Sequence, residues 1–431
     1  MLTLVGEQYR LCDRVSRRAF LKIGALGGLT LADVLRLEAA QPAAQANRKS
    51  VILIFLEGGA SHLDTYDLKP AAPTEIRGEY KPIRTSVAGF DMCELMPRQA
   101  QIAQHLSVLR GVRAASADHV YDEVFTAFPR GTPRPAFGSL VSRFSPPPAC
   151  GLPAYVGLSR PLPVEQPLYA GPAHAPFRPL PEAVGDLGRN VSLPCLEDRK
   201  ALLHGFDTLR RDLDDGVVAA MDQHTARAFD ILTADKIRQA FDLDQEPDKV
   251  RASYPTGVAY TPYGKPSTWN ASNLLLARRL VERGVRVVTT WLSSWDQHGQ
   301  LFRAMHEMLP LLDGSIAALV TDLRERRLDQ DVTVVVMGEF GRTPKINGNA
   351  GRDHWAEAGC VLLAGGGLRM GQVIGTTDSR GERSPTQPIR YQNIFATLYH
   401  VLGIDPEQTL PDMGGRPLPL LDDRAPIAEL I

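Results

Sequence analysis

Four short, β-branched, largely apolar runs constrain this chain most. They are Val51-Ile52-Leu53-Ile54-Phe55-Leu56, Val285-Arg286-Val287-Val288-Thr289-Thr290, Val332-Thr333-Val334-Val335-Val336-Met337 and Cys360-Val361-Leu362-Leu363-Ala364. A strand with one wet face alternates apolar and polar residues, so runs without that alternation are strands buried on both faces. Helical patterns lie between them. Ala271 to Arg283 is amphipathic and ends at Gly284, a residue suited to a helix C-terminus. His306 to Arg326 is a second helix, and Gln392 to Leu402, closed by Gly403, is a third. Helices alternating with buried strands predict the α/β class, with a parallel or mixed sheet covered on both faces.

The start of the chain reads differently. Ser16-Arg17-Arg18-Ala19-Phe20-Leu21-Lys22 precedes a Gly- and Leu-rich stretch from Ile23 to Leu31, and Ala44-Gln45-Ala46 offers a small-residue cleavage site. Residues 1–46 are therefore expected to be a signal peptide, and the arginine pair resembles a bacterial twin-arginine signal. Asp33 and Arg36 interrupt the apolar stretch, which is too short to span a bilayer. The expectation is a periplasmic or extracellular protein with no stable membrane anchor after signal cleavage.

Residues 47–431 are expected to form a single domain. Fourteen prolines between 129 and 182 predict mostly extended loop, a lid or rim rather than core. Residues 197–243 carry Leu and Phe at helical spacing and predict a solvated helical insertion. The net charge of −1 gives nucleic acid no bulk electrostatic handle. Five cysteines in 431 residues do not make a disulfide scaffold, although Cys93, Cys150, Cys195 and Cys360 leave room for one or two bridges.

In open α/β sheets, ligands bind where strand ends meet loops. Beyond the first run stands Glu57-Gly58-Gly59-Ala60-Ser61-His62-Leu63-Asp64, in which Ser61 and Asp64 could equally be turn caps. Beyond the second stands Trp295-Asp296-Gln297-His298. An Asp and a His two residues apart on extended backbone can reach one ion, and carboxylate with imidazole is ordinary ligand chemistry for zinc, manganese or iron. Beyond the third stands Gly338-Glu339-Phe340-Gly341-Arg342. A Glu at the mouth of a sheet needs a metal or a cation to neutralise it, and Arg342 is one candidate. Just before the fourth stands Gly351-Arg352-Asp353-His354-Trp355, where Asp353 or His354 could ligate and Arg352 could hold an anion. Asp118-His119 forms a fifth cluster. Asp118 is expected to cap a helix, with His119 in its first turn facing core or cleft.

The stretches from Gly58 to Pro70, Trp295 to His298, Gly338 to Pro344 and Gly351 to Trp355 resemble the domain-of-unknown-function 1501 family over about residues 48–425. That resemblance implies a three-layer α/β/α sandwich of the alkaline-phosphatase-like type with a mostly parallel central sheet. It also implies a divalent metal centre at the strand ends, with zinc, calcium and manganese left open. By position, Glu57 or Asp64 matches a first-strand ligand, Asp296 and His298 the central ligands, Glu339 the next and His354 the last. Phe340 stands where relatives in the superfamily place a His. The sulfatase nucleophile motif is absent, and Ser61, Ser116 and Thr126 are the candidate hydroxyl nucleophiles.

The expected function is an exported, metal-dependent, hydrolase-like protein acting on a phosphate or sulfate ester, on a small molecule or a glycan. Glu57, Asp296, His298, Glu339, Asp353 and His354 are the candidate ligands. Arg342 or Arg352 would hold the anion, and Asp64 and His119 would complete the cleft. The alternative is a degenerate member that binds an anionic glycan or protein partner without turnover.

Overall fold

The computed structural model describes residues 49–148, 151–179, 239–259, 267–292 and 295–431. The signal segment, residues 1–46, and all but the last few residues of the expected helical insertion lie outside the described residues. In chain order the main sheet contains β1 (Ser50–Leu56), β2 (Leu106–Arg113), β3 (Tyr155–Gly157), β4 (Val287–Leu292), β5 (Val332–Met337), β6 (Gly359–Gly365), β7 (Gln372–Ile374) and β8 (Ile389–Arg390). The helices that cover it include α1 (Asp122–Thr126), α2 (Phe137–Phe144), α3 (Ser272–Glu282), α4 (Leu301–Glu325) and α5 (Tyr391–Leu402).

The strand order is β7-β2-β6-β5-β1-β4-β3, with β8 also paired to β2. β1 runs parallel to β4 and β5, β3 parallel to β4, and β7 and β8 parallel to β2. Strand β6 is antiparallel to both of its neighbours, β5 and β2. Among the described residues it is the one reversed strand in this sheet.

The uniform apolarity of the runs has a simple cause. Side chains alternate across a strand, and here both faces are covered. Ile52, Ile54 and Leu56 of β1 join Val288, Val334, Val336 and Leu362 in one core, filled from outside by Leu274 and Leu280 of α3 and Met305, Leu312 and Leu319 of α4. Val51, Leu53 and Phe55 join Val287, Val335, Met337 and Leu363 in the other, filled by Phe125 of α1, Phe137 of α2 and Phe395 and Leu398 of α5. The result is the expected three-layer α/β/α architecture with a mostly parallel sheet.

Three expectations are corrected. The proline-rich segment is not simply rim: it contains α2, whose Phe137, Leu140 and Val141 are buried, and β3, which forms the sheet edge with Tyr155 and Val156 in the core. The prolines flank these elements rather than interrupt them. Asp118 caps no helix, because α1 begins four residues later with Tyr121 at its N-cap, so His119 precedes the helix. Helix α4 starts at Leu301 rather than His306, since Leu301, Phe302 and Met305 extend its buried stripe. Among the described residues, no helix is long and apolar enough to cross a membrane, and Cys93 and Cys360 are free.

Candidate functional site

The carboxyl ends of β1, β2, β3, β4 and β5 share one edge of the sheet. Because β6 is reversed, the residues that precede it arrive at that same edge. Sequence positions from 57 to 354 therefore meet.

After β1 the chain turns through Gly58, at φ 101°, where a Cβ would lie 2.5 Å from the backbone nitrogen of Asp296. The absence of a side chain lets the turn touch the loop after β4. The Gly58 amide donates to both carboxylate oxygens of Glu339, at 2.9 and 3.1 Å. Gly351 serves the same purpose on the other side: a Cβ there would lie 2.1 Å from the carbonyl carbon of His298. Arg342, on a two-residue hairpin with His354 and Trp355, ties the loops together. Its buried guanidinium donates to the carbonyls of Gly59 (2.9 Å) and Arg352 (2.9 Å), to that of Gly58, and to Oδ1 of Asp296 at 2.6 Å.

Around Asp296 the ligand-type atoms converge. His354 Nε2 and His298 Nε2 each lie 3.1 Å from Asp296 Oδ1, and 3.0 Å from one another. His119 Nε2 lies 3.4 Å from Asp296 Oδ2. His119, Asp296 and His354 each offer a ligand atom within 4.8 Å of the others. The second layer is ordered. Asp353 Oδ1 sits 2.6 Å from His298 Nδ1, and a carboxylate can only accept, so Nδ1 carries the proton and Nε2 keeps its lone pair for the centre. Asn347 donates to the same Asp353 oxygen at 3.2 Å and to the His298 carbonyl at 3.0 Å. Glu339 accepts from His119 Nδ1 at 2.9 Å.

The electrostatics follow from this crowding. Burial works to raise the Asp296 pKa, but hydrogen bonds from His119, His354 and Arg342 overcome it and hold the carboxyl far below the usual range. The same contacts with Asp296 and Glu339 push His119 up to about 9, against partial burial. Asp353 is lowered, chiefly by His298. Burial raises Glu57 despite the Tyr121 hydroxyl and the Arg160 cation, with Glu339 adding to the rise.

Of the sequence candidates, Asp296, His298, His354 and His119 come together, with Glu339 and Asp353 behind them as supports. Glu57 stands one step aside, accepting from Tyr121 at 2.8 Å and Arg160 at 2.7 Å. Asp64 and Arg352 are not in the cleft. They form a fully buried ion pair at 2.7 Å, and the remaining N–H groups of Arg352 go to the carbonyls of Thr343, Pro344 and Ile76. Arg342 pairs with Asp296 rather than Glu339, and it too is buried. Neither arginine offers a free edge to an anion. Ser61 is buried and donates to Asp64 at 2.5 Å, Thr126 donates to the Asp122 carbonyl, and Ser116 is turned to Asp118. Phe340 lies under the imidazoles, its ring centroid 4.3 Å from that of His354 and 5.4 Å from that of His119. It supplies a floor where a further ligand was expected. Tyr121, Arg160 and Asn347 carried no signal in the sequence, because the strand that positions Arg160 was not legible and Tyr121 and Asn347 belong to no ligand pattern.

A family model described as a protein of unknown function, DUF1501, matches residues 48–431. No curated protein matches the chain. Similar solved structures include the PsFucS1 sulfatase from Pseudoalteromonas sp., at 12% identity and TM-score 0.35, covering 86% of this chain and 70% of that one. The lipoteichoic acid synthase LtaP from Listeria monocytogenes is another, at 10% identity and TM-score 0.38, covering 86% and 76%. A third is Ps i-CgsB, at 10% identity and TM-score 0.36, covering 83% and 72%.

Proposed function

The chain belongs to the DUF1501 family, and for this member we propose a metal-dependent, hydrolase-like protein that acts on a phosphate or sulfate ester, on a small molecule or a glycan. The observation that carries the reading is the triangle of Asp296 Oδ1, His298 Nε2 and His354 Nε2, with sides of 3.0–3.1 Å. Two imidazole nitrogens facing each other at that distance need a shared proton or a cation between them. Ligands about 2.0–2.2 Å from a zinc ion stand roughly 3.3 Å apart, so a small expansion of this triangle fits one. The imidazole-rich donor set favours zinc or manganese over calcium, which takes oxygen ligands.

Asp296, His298 and His354 would hold the ion, with His119 as the fourth group. Bound there, a divalent ion would polarise an ester oxygen and lower the pKa of water. The chain's own residues perform the positioning. Arg342 fixes the Asp296 carboxylate, Asp353 fixes the His298 tautomer, and Glu339 fixes the ring of His119. Phe340 keeps water from beneath the imidazoles. The arginine-pair signal of residues 16–22 supports export to the periplasm or beyond as part of this proposal.

Metal analysis of the purified protein, followed by assay against p-nitrophenyl phosphate and p-nitrophenyl sulfate, tests the reading. We expect stoichiometric zinc or manganese and measurable turnover, with both lost in Asp296→Ala. Absence of bound metal after loading sinks it. A second reading, binding without turnover, is favoured by one observation: Ser61, Ser116 and Thr126 all point their hydroxyls at other partners. Full metal content without hydrolysis of either ester selects it.

A further inference from the structure

The two arginines that the sequence marks for anion binding are buried, which leaves the expected ester without a cationic partner near the centre. One arginine at the same sheet edge meets the requirement. Arg160 follows β3, whose carboxyl end is aligned with those of β4 and β1 because the three strands are parallel. Its side chain is 57% exposed and makes one hydrogen bond, from Nη2 to Glu57 Oε1 at 2.7 Å. The guanidinium carbon lies 4.1 Å from the ring centroid of Trp291, at the end of β4. A guanidinium has five N–H donors. Four of Arg160's have no protein partner among the described residues.

The loop that carries it is fixed. The Leu158 amide donates to the Thr289 carbonyl at 2.8 Å, Ser159 Oγ accepts from the Trp291 amide at 3.0 Å, and Arg178 donates to the Ser159 carbonyl at 2.6 Å. A guanidinium held over an indole face and tied to Glu57 has less side-chain freedom left to lose on binding. Glu57, which accepts from Arg160, also accepts from Tyr121 through the same oxygen and is electrostatically coupled to both His119 and Glu339. A half-exposed ion pair contributes little to stability, so anchoring Glu57 does not account for a cation held this rigidly with its fork open.

We propose that Arg160, seated over the Trp291 ring and beside Glu57, is the group that grips the anionic head of the substrate ester, a phosphate or sulfate monoester. This assignment rests on the ester reading above. It makes the proline-rich segment the source of a substrate contact, and it makes Arg342 and Arg352 scaffold.

The test is isothermal titration of the metal-loaded full chain with inorganic phosphate and, separately, inorganic sulfate. The tighter of the two identifies the ester class. Arg160→Gln should weaken binding about ten- to a hundredfold, the loss that accompanies removal of a charge-assisted fork. Arg160→Lys, which keeps the charge without the planar fork, should recover part of it. Arg113→Gln, which removes another exposed arginine at the end of β2, should leave the affinity unchanged. Equal affinity in wild type and Arg160→Gln overturns the assignment. Equal losses in Arg160→Gln and Arg113→Gln do so too, as does failure of the wild-type chain to bind either anion. Metal content measured in the same preparations reports on the ester reading separately. Full metal with an unmoved anion affinity in Arg160→Gln removes only the arginine's role.

Discussion

His119 shows how far a single side chain depends on its neighbours. Asp296 and Glu339 hold its proton up to about pH 9, while the ordinary value is 6.5. A folded-state pKa above the unfolded one adds stability that is complete below the unfolded value and disappears as pH rises through the folded one. The metal-free protein should therefore lose stability between about pH 6.5 and about pH 9 from this residue, and His119→Gln should flatten that part of the curve. Denaturation midpoints across the range, read with chelator present, check it; an identical slope in the variant contradicts it. The effect is modest because the ring is partly exposed. At this scale the sequence shows which residue types cluster, and Asp296, His298, His354 and His119 are found that way. It does not show burial. Arg342, Arg352 and Asp64 look the same in a string of letters as Arg160 does, yet the first three face inward and Arg160 faces solvent. That sorting is decided by which carbonyls the loops after β1 and β5 leave unpaired, and only packing reveals it.

The elements were legible where one side-chain pattern dominated. β1, β5 and β6 are uninterrupted because both of their faces are dry, and α3 and α5 sit within a residue or two of where their apolar stripes begin and end. β2 was not legible. Arg110 and Gly111 break it, and Arg110 Nε donates to the Tyr66 carbonyl and pairs with Asp67. β3 is three residues long among prolines, too short for any period to register. The loops between elements are fitted as closely as the elements. Gly351→Ala would drive its methyl into the backbone of His298 and Gly299, and the chain must move to relieve it. His298 would shift from Asp296 and His354, so metal affinity should fall about ten- to a hundredfold, as when a ligand loses its support. The fold should survive, since the strain is confined to a loop. Unchanged metal affinity by competition with a chromophoric chelator contradicts this account of Gly351.

Over the whole molecule, the centre and the fold are thermodynamically one object. Asp296 and His298, His354 and His119 come from the ends of three different strands, so an unfolded chain offers no comparable site and a metal bound there would act as a stabiliser. Metal at a hundred times its dissociation constant should add about 2.7 kcal/mol to stability. A chelator should lower the midpoint of thermal unfolding by several degrees in the wild type and have no effect on Asp296→Ala. A wild-type midpoint indifferent to chelator contradicts the proposed centre. The layered α/β class was legible at this scale because alternating helices and dry strands admit few alternatives. The strand order was not, since it depends on contacts hundreds of residues apart.

Strand β6 sits between β5 and β2, and β2 has no other link to the centre of the sheet. His119 follows β2 in the chain but waits for residues 359–365 to be wedged in before it can face Asp296. A chain that ends before residue 359 lacks the strand that seats β2 against the rest of the sheet, so His119 would have no fixed place beside Asp296. An ion at the proposed centre would gain its fourth group only once that late strand is in place.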